Sequence, residues 1–183
     1  MGQALAQLPA IEDQHRFNRE RWDELMADSF LASLEYKIET DQFGHILMMP
    51  PPGFLHSDYQ ALIMEGLRDS LGERGRARPE CPLSTSGGVK GIDVVWISWA
   101  RLKIALEGSF LTTAPEICVE VVSPTNTRPE LLEKKRLYFE AGADEVWICG
   151  EDGGMAFFLA DRPDEQAVAS RICPEFPLTL PRE

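Results

Sequence analysis

Residues 115–138 read PEICVEVVSPTNTRPELLEKKRLY. The run Ile117, Cys118, Val119, Val121 and Val122 has the composition of a buried strand, and Glu120 stands in its middle. A carboxylate in such a strand costs on the order of several kcal/mol unless a cation or a metal pairs with it. Ser123-Pro124 ends the strand. A helix then opens, with Asn126 or Thr127 as its cap, Pro129 in the first turn, Glu130 toward the positive end of the dipole, and Gly142 as the stop. Another apolar strand, EVWIC, follows at 145–149.

A second strand repeats the anomaly. Ile92–Ile97 (IDVVWI) is apolar except for Asp93 near its start. If the two strands neighbour each other in a sheet, Asp93 and Glu120 converge. Two convergent carboxylates suit a hard divalent cation, with water and substrate phosphate completing its shell. Such a cation activates water and stabilises charge on a phosphodiester, and a nearby lysine would orient that water or neutralise the transition state.

In the common form of this site the lysine lies two residues after the glutamate. Here that position is Val122. The candidates move to the helix, at Lys134 and Lys135. At about 100° per residue both flank the apolar arc of Leu131 and Tyr138 equally, so the helical wheel leaves both open. Glu130 and Lys134 are also an i,i+4 pair in the favourable orientation. That alternative is a plain helix salt bridge contributing roughly 0.2–0.5 kcal/mol.

The rest of the chain supplies a frame. Residues 1–16 read as a flexible N-terminal arm and 17–30 as a short amphipathic helix. Tyr36–Glu39 and HILMM (45–49) read as a hairpin ended by Pro50-Pro51-Pro52-Gly53. Ser57–Leu71 reads as a helix with the stripe Leu62, Ile63, Leu67, Leu71, capped by Ser57 with Gln60 in a capping box; His56 stands just before it as a turn or capping residue. GERGRAR (72–78) reads as a solvated basic loop, and Gly87–Gly91 as a flexible loop around Lys90. Residues 98–113 are expected to hold a short helix and a loop. Met155–Leu159 and Ala167–Ile172 are expected to close the fold as a hairpin, with the proline-punctuated tail packed as an edge.

With 183 residues, 44% hydrophobic and 26% charged, the chain has the composition of one globular domain, 1–183. No stretch approaches the roughly 20 apolar residues of a membrane span, and the N-terminus lacks the basic-then-apolar pattern of a signal peptide. The four cysteines are far apart and lack a CxxC, which predicts small buried thiols in a reducing, cytoplasmic setting rather than a zinc site. A net charge of −12 argues against broad attraction to nucleic acid, though not against a local patch or a metal that screens the acids.

The run PEICVEVVSPTNTRPELLEKKRLYFEAGADEVWI resembles the Uma2 (DUF820) family, a branch of the PD-(D/E)XK restriction-endonuclease-like fold. The typical run there is Pro-Asp-x-x-x-Glu-Val-x-Ser-Pro, an acid, a lysine four later, a tyrosine four later, then Ala-Gly-Val and an aromatic strand. Glu120, Ser123-Pro124, Glu130, Lys134, Tyr138 and Ala141-Gly142 match in register. GIDVVW fits the aspartate strand at Asp93, and IETDQFGHILMMPPPGFLHSDYQ fits the N-terminal pattern, with Glu39 before the turn and His56 before the first core helix. The resemblance spans roughly residues 20–175. Ile92 replaces a proline, and Glu116 and Glu130 replace aspartates.

The resemblance implies an α/β (α+β) fold: a restriction-endonuclease-like core, a mixed β-sheet flanked by helices. It implies a catalytic lysine migrated to the helix, and selects Lys134. It implies Asp93 and Glu120 as ligands of Mg2+ (or Mn2+), with Glu39 as a supporting acid. The expected activity is metal-dependent endonucleolytic hydrolysis of nucleic acid, DNA first, by a soluble protein. A homodimer is expected if both strands of a duplex are cut. The alternative is a catalytically inactive nuclease-fold module for nucleic-acid binding or dimerisation, which the net charge favours.

Overall fold

The structure of the protein is a computed structural model describing residues 11–124 and 126–182. Helix α1 (Ile11–Ala27) leads into the single turn α2 (Ser29–Ala32), whose first amides are capped by the Asp28 carboxylate. The strands β1 (Lys37–Thr40) and β2 (Ile46–Met49) form an antiparallel hairpin. Then come α3 (Phe54–Leu71), a 3-10 turn at Gly72–Arg74, β3 (Gly75–Thr85), β4 (Gly88–Ser98) and α4 (Trp99–Ala105). Short strands β5 (Leu106–Glu107) and β6 (Phe110–Leu111) precede β7 (Ile117–Val121), α5 (Arg128–Glu140), β8 (Glu145–Cys149), β9 (Met155–Leu159) and β10 (Arg162–Ala167).

Eight strands form one mixed sheet in the order β10-β9-β8-β7-β4-β3-β6-β5. β7 and β8 run parallel, joined by the crossover helix α5, while β3, β4 and β7 alternate antiparallel. Two apolar layers cover the sheet. Tyr59, Ile63, Leu67 and Leu71 of α3 pack with Val94, Trp96, Val119, Trp147 and Phe157. Tyr138 of α5 and Ala105 of α4 pack with Ile92, Val95, Ile97, Cys118 and Val146. Covered on both faces, β4 and β7 read as near-continuous apolar runs, which is why their two acids stand out.

The pairing of β4 with β7 runs from Trp96↔Ile117 to Val94↔Val119 and stops there. One step further the same register sets Asp93 opposite Glu120. At this split the Asp93 side chain replaces the ladder: its Oδ2 accepts the Val121 amide at 2.9 Å. The β1–β2 hairpin docks beside it. Thr40 Oγ1 accepts the Val89 amide at 2.9 Å, and the Thr40 carbonyl accepts Lys90 Nζ at 2.8 Å. Gly88 permits this approach. It has φ +98°, and a Cβ there would lie 2.4 Å from the carbonyl oxygens of Thr40 and Asp41.

Several sequence expectations change. Residues 1–10 of the expected arm lie outside the described residues, but α1 already starts at residue 11, and Gln14 is buried with Asn18. Asn18 docks this helix onto β3 through Ser84 Oγ (2.8 Å) and the Thr85 carbonyl (3.0 Å), a polar contact that apolar periodicity does not register. Ser57 is inside α3. The cap position is Gly53, with no side-chain cap, and Gln60 is buried instead of boxing the terminus. The expected basic loop is mostly strand β3, with Arg76 stacked over Trp99. Lys90 lies in strand β4, buried, rather than in a flexible loop. The region after α4 holds β5 and β6. The closing hairpin uses Arg162–Ala167, a polar run tolerated because β10 is an edge strand. The tail packs as expected, with Phe176 and Leu180 buried. The four cysteines are free thiols, three of them buried. Among the described residues no helix is long and apolar enough to cross a membrane.

Gly88→Ala should destabilise the protein by more than about 1 kcal/mol, because alanine meets both an unfavourable φ and two carbonyls. Urea unfolding of the two proteins measures this, and an unchanged midpoint would show that the hairpin does not sit against β4 as described.

Candidate active site

Asp93 from β4, Glu120 from β7, Glu39 from β1 and Lys134 from α5 meet in one cleft of about 900 Å³. All four positions read from the sequence are therefore brought together. Lys134 Nζ lies 2.8 Å from Glu39 Oε1 and 3.0 Å from Glu120 Oε2. The second oxygen of Glu120 accepts the Tyr138 hydroxyl at 2.6 Å. Lys134 and Tyr138, four residues apart, thus reach the same carboxylate from one helix face. The start of α5 is fixed by a capping box in which the Thr127 hydroxyl and the Glu130 carboxylate serve each other's backbone amides. Glu130 is thereby engaged with Thr127 and does not pair with Lys134. Lys135 points elsewhere, donating to the Pro163 carbonyl and lying 4.3 Å from the Phe158 ring centroid. The structure separates the two lysines that the helical wheel could not.

Other side chains at this centre escaped the sequence reading. Lys37 Nζ lies 2.6 Å from Asp93 Oδ1 and 3.0 Å from Glu80 Oε2. The signal for Lys37 was present: it is two residues from Glu39 on one strand, hence on the same face. His56, read as a cap, sits in the first turns of α3 with Nε2 3.3 Å from Asp93 Oδ2; its Nδ1 is buried without a hydrogen-bond partner. Gln60 donates to Glu80 Oε1 (2.7 Å) and to the Asp93 carbonyl (3.2 Å). Glu39 Oε1 also accepts the Gly91 amide at 3.0 Å.

Comparison with known proteins places this site in context. Residues 27–170 match the Uma2 family, described as "Putative restriction endonuclease". The chain belongs to the Uma2 family. A crystal structure from Anabaena variabilis ATCC 29413, described as "a putative nuclease belonging to DUF820", superposes with a TM-score of 0.64 at 18% identity, covering 83% of this chain and 93% of that one. The two share the fold, a mixed sheet flanked by helices. No curated protein matches the chain.

The electrostatics of this Uma2 centre follow from burial and close charges. Burial opposes the ionised form of Asp93, but the His56 hydrogen bond and the ammonium groups of Lys37 and Lys134 win and hold its pKa well below the usual carboxylate range. Burial dominates at Glu120 and, helped by Asp93, pushes its pKa up to about 7 against the pull of Lys134. Burial alone would lower Lys134, yet Glu120, Glu39 and Asp93 raise it above the usual lysine range, so the amine stays protonated. Burial and Glu120 raise Tyr138 likewise, which keeps its hydroxyl a donor.

Among the described residues no three His, Cys, Asp or Glu side chains converge as a closed metal cage. The donors present, Asp93 and Glu120 on adjacent strands, are oxygen-only. One or two carboxylates with water and phosphate are the set that Mg2+ takes, so these residues fit a hard divalent cation.

Tyr138→Phe leaves a buried carboxylate oxygen without its donor and should cost about 1–3 kcal/mol in denaturant unfolding. Glu120 also implies a pH signature. Its folded pKa of about 7 stands above the ordinary 4.5. Its contribution is thus fully present below 4.5 and is lost as pH rises through 7. Over that window wild-type stability should fall relative to Glu120→Gln; parallel stability–pH curves would contradict this.

Proposed function

We propose that this Uma2 protein is a divalent-cation-dependent endonuclease hydrolysing phosphodiester bonds of nucleic acid, with DNA the first substrate to test. The observation that carries this is Lys134, whose ammonium bridges Glu39 and Glu120 beside Asp93 at the floor of an accessible cleft. Asp93 and Glu120 would hold the cation, Mg2+ or Mn2+. Bound there, it would supply charge neutralisation and an activated water. Lys134, held protonated, acts as a hydrogen-bond donor and positive charge, not as a general base. It orients the attacking water and offsets charge developing on the phosphate oxygens. Glu39 fixes that ammonium from the side opposite Glu120, and Tyr138 fixes the Glu120 carboxylate. Cleavage of both strands of a duplex would require two copies of the chain.

The second reading is a nuclease-fold module without catalysis, acting in nucleic-acid binding or dimerisation. The net charge of −12 favours it, because a general nucleic-acid binder usually presents a basic face.

A cleavage assay with Mn2+ on single-stranded, duplex and branched DNA separates the two. The nuclease reading expects cation-dependent cleavage that falls by at least ~10²-fold in Lys134→Ala and Glu120→Ala. Cleavage that survives both substitutions belongs to another site or a contaminant and contradicts the proposal.

A further inference from the structure

Asp93 presents two oxygens with different surroundings. Oδ2 faces the protein, where it accepts the Val121 amide at 2.9 Å and lies 3.3 Å from His56 Nε2. Oδ1 is held by Lys37 at 2.6 Å. The oxygen left for a cation is therefore the one that carries an ammonium, and an ammonium and a divalent cation repel strongly at contact with a shared oxygen.

The route of Lys37 to this oxygen is built. Its stem lies over Gly91, where a Cβ would stand 2.6 Å from Lys37 Cε and the flexible lysine stem would have to shift. A second carboxylate waits beside it. Glu80 is 3.0 Å from Lys37 Nζ and half-exposed at the cleft. In the β3–β4 ladder, Pro79 pairs with Val94 and Cys81 with Ile92, which puts Glu80 opposite Asp93, but Glu80 makes no ladder pair. It is the one non-glycine residue at positive φ (+50°) among the described residues, a conformation that costs roughly 1 kcal/mol or more. Gln60 ties this turned residue to the site by donating to both Glu80 Oε1 and the Asp93 carbonyl. Lysine suits the task, as a compact charge on a flexible four-carbon stem.

We propose that Lys37 is the resident counter-ion of the cation site: it bridges Asp93 and Glu80 until a divalent cation binds, and then gives up Asp93 and keeps Glu80. This assigns two further residues to the site, one as the competitor of the cation and one as its berth. It rests on the reading of Asp93 and Glu120 as the cation's ligands.

The test is calorimetric Mn2+ titration of the full chain as wild type, Lys37→Met, Lys37→Gln, Glu80→Gly and Asp93→Asn. If Lys37 holds Asp93 nine-tenths of the time, removing it tightens apparent Mn2+ binding about tenfold. Lys37→Gln keeps a hydrogen bond to Asp93 should the methionine variant fail to fold. Glu80→Gly removes the berth while keeping the left-handed backbone unstrained. It should weaken Mn2+ binding in wild type and leave it unchanged in the Lys37→Met background. On wild-type protein, acylation of Lys37 by an amine-reactive ester, read by mass spectrometry, should rise when Mn2+ is added while that of Lys134 does not.

Equal or weaker Mn2+ binding in both Lys37 variants, with binding lost in Asp93→Asn, overturns the inference and leaves the Asp93–Glu120 reading standing. An equal loss from Glu80→Gly in both backgrounds makes Glu80 a direct ligand and also overturns it. Mn2+ binding by neither wild type nor the Lys37 variants brings down both.

Discussion

The ammonium of Lys134, set between the buried carboxylates of Glu39 and Glu120, is the contact on which the architecture of the centre depends. It joins three elements distant in sequence: Glu39 on β1, Glu120 on β7 and its own helix α5, with the Gly91 carbonyl of β4 at 3.5 Å. Charges removed from water are costly, and a buried ion pair is seldom a net gain over apolar packing. Removing one member leaves the others unpaired, so the cluster specifies geometry more than it adds stability. Without Lys134, Glu39 and Glu120 would oppose each other across the gap where β4 and β7 part. This pairing acts together with the Thr40 and Glu39 contacts to β4 to hold the β1–β2 hairpin, and with it Lys37.

The same buried charges shape the electrostatics of the cleft. The chain carries −12, yet the lysines lining the cleft are turned inward onto carboxylates or backbone oxygens: Lys37 on Asp93, Lys134 on Glu39 and Glu120, Lys90 on the Thr40 carbonyl. The outer walls are largely apolar, with Leu47, Met48 and Pro50–Pro52 on one side and Pro124, Pro129 and Leu131 on the other. Long-range attraction of a polyanion is therefore weak, and the charge that matters acts at short range, on the floor of the cleft.

Much of this was legible in the sequence for a physical reason. Asp93 and Glu120 interrupt strands otherwise apolar on both faces, where an acid is costly and so conspicuous. Lys134 needed either the resemblance or the fold, since Lys135 is placed as well by periodicity. Gln14 and Asn18 hid because their helix docks through amide hydrogen bonds rather than an apolar stripe. Glu80 hid because its segment, GERGRAR followed by Pro79, looks like a solvated loop, and its pairing with Lys37 depends on a left-handed backbone that the sequence does not announce. Gln60 looked like half of a capping box because it stands three residues after a serine; the helix starts earlier, at Phe54, and turns Gln60 inward.

In the proposed function Asp93 and Glu120 form one cation site floored by Lys134. Anomalous diffraction from crystals grown with Mn2+ addresses it most directly. A Mn2+ peak coordinated by both carboxylates, with Lys134 still on Glu39, is the expected result. A Mn2+ ion bound elsewhere, or no peak with Lys37 still against Asp93 at saturating Mn2+, would contradict it.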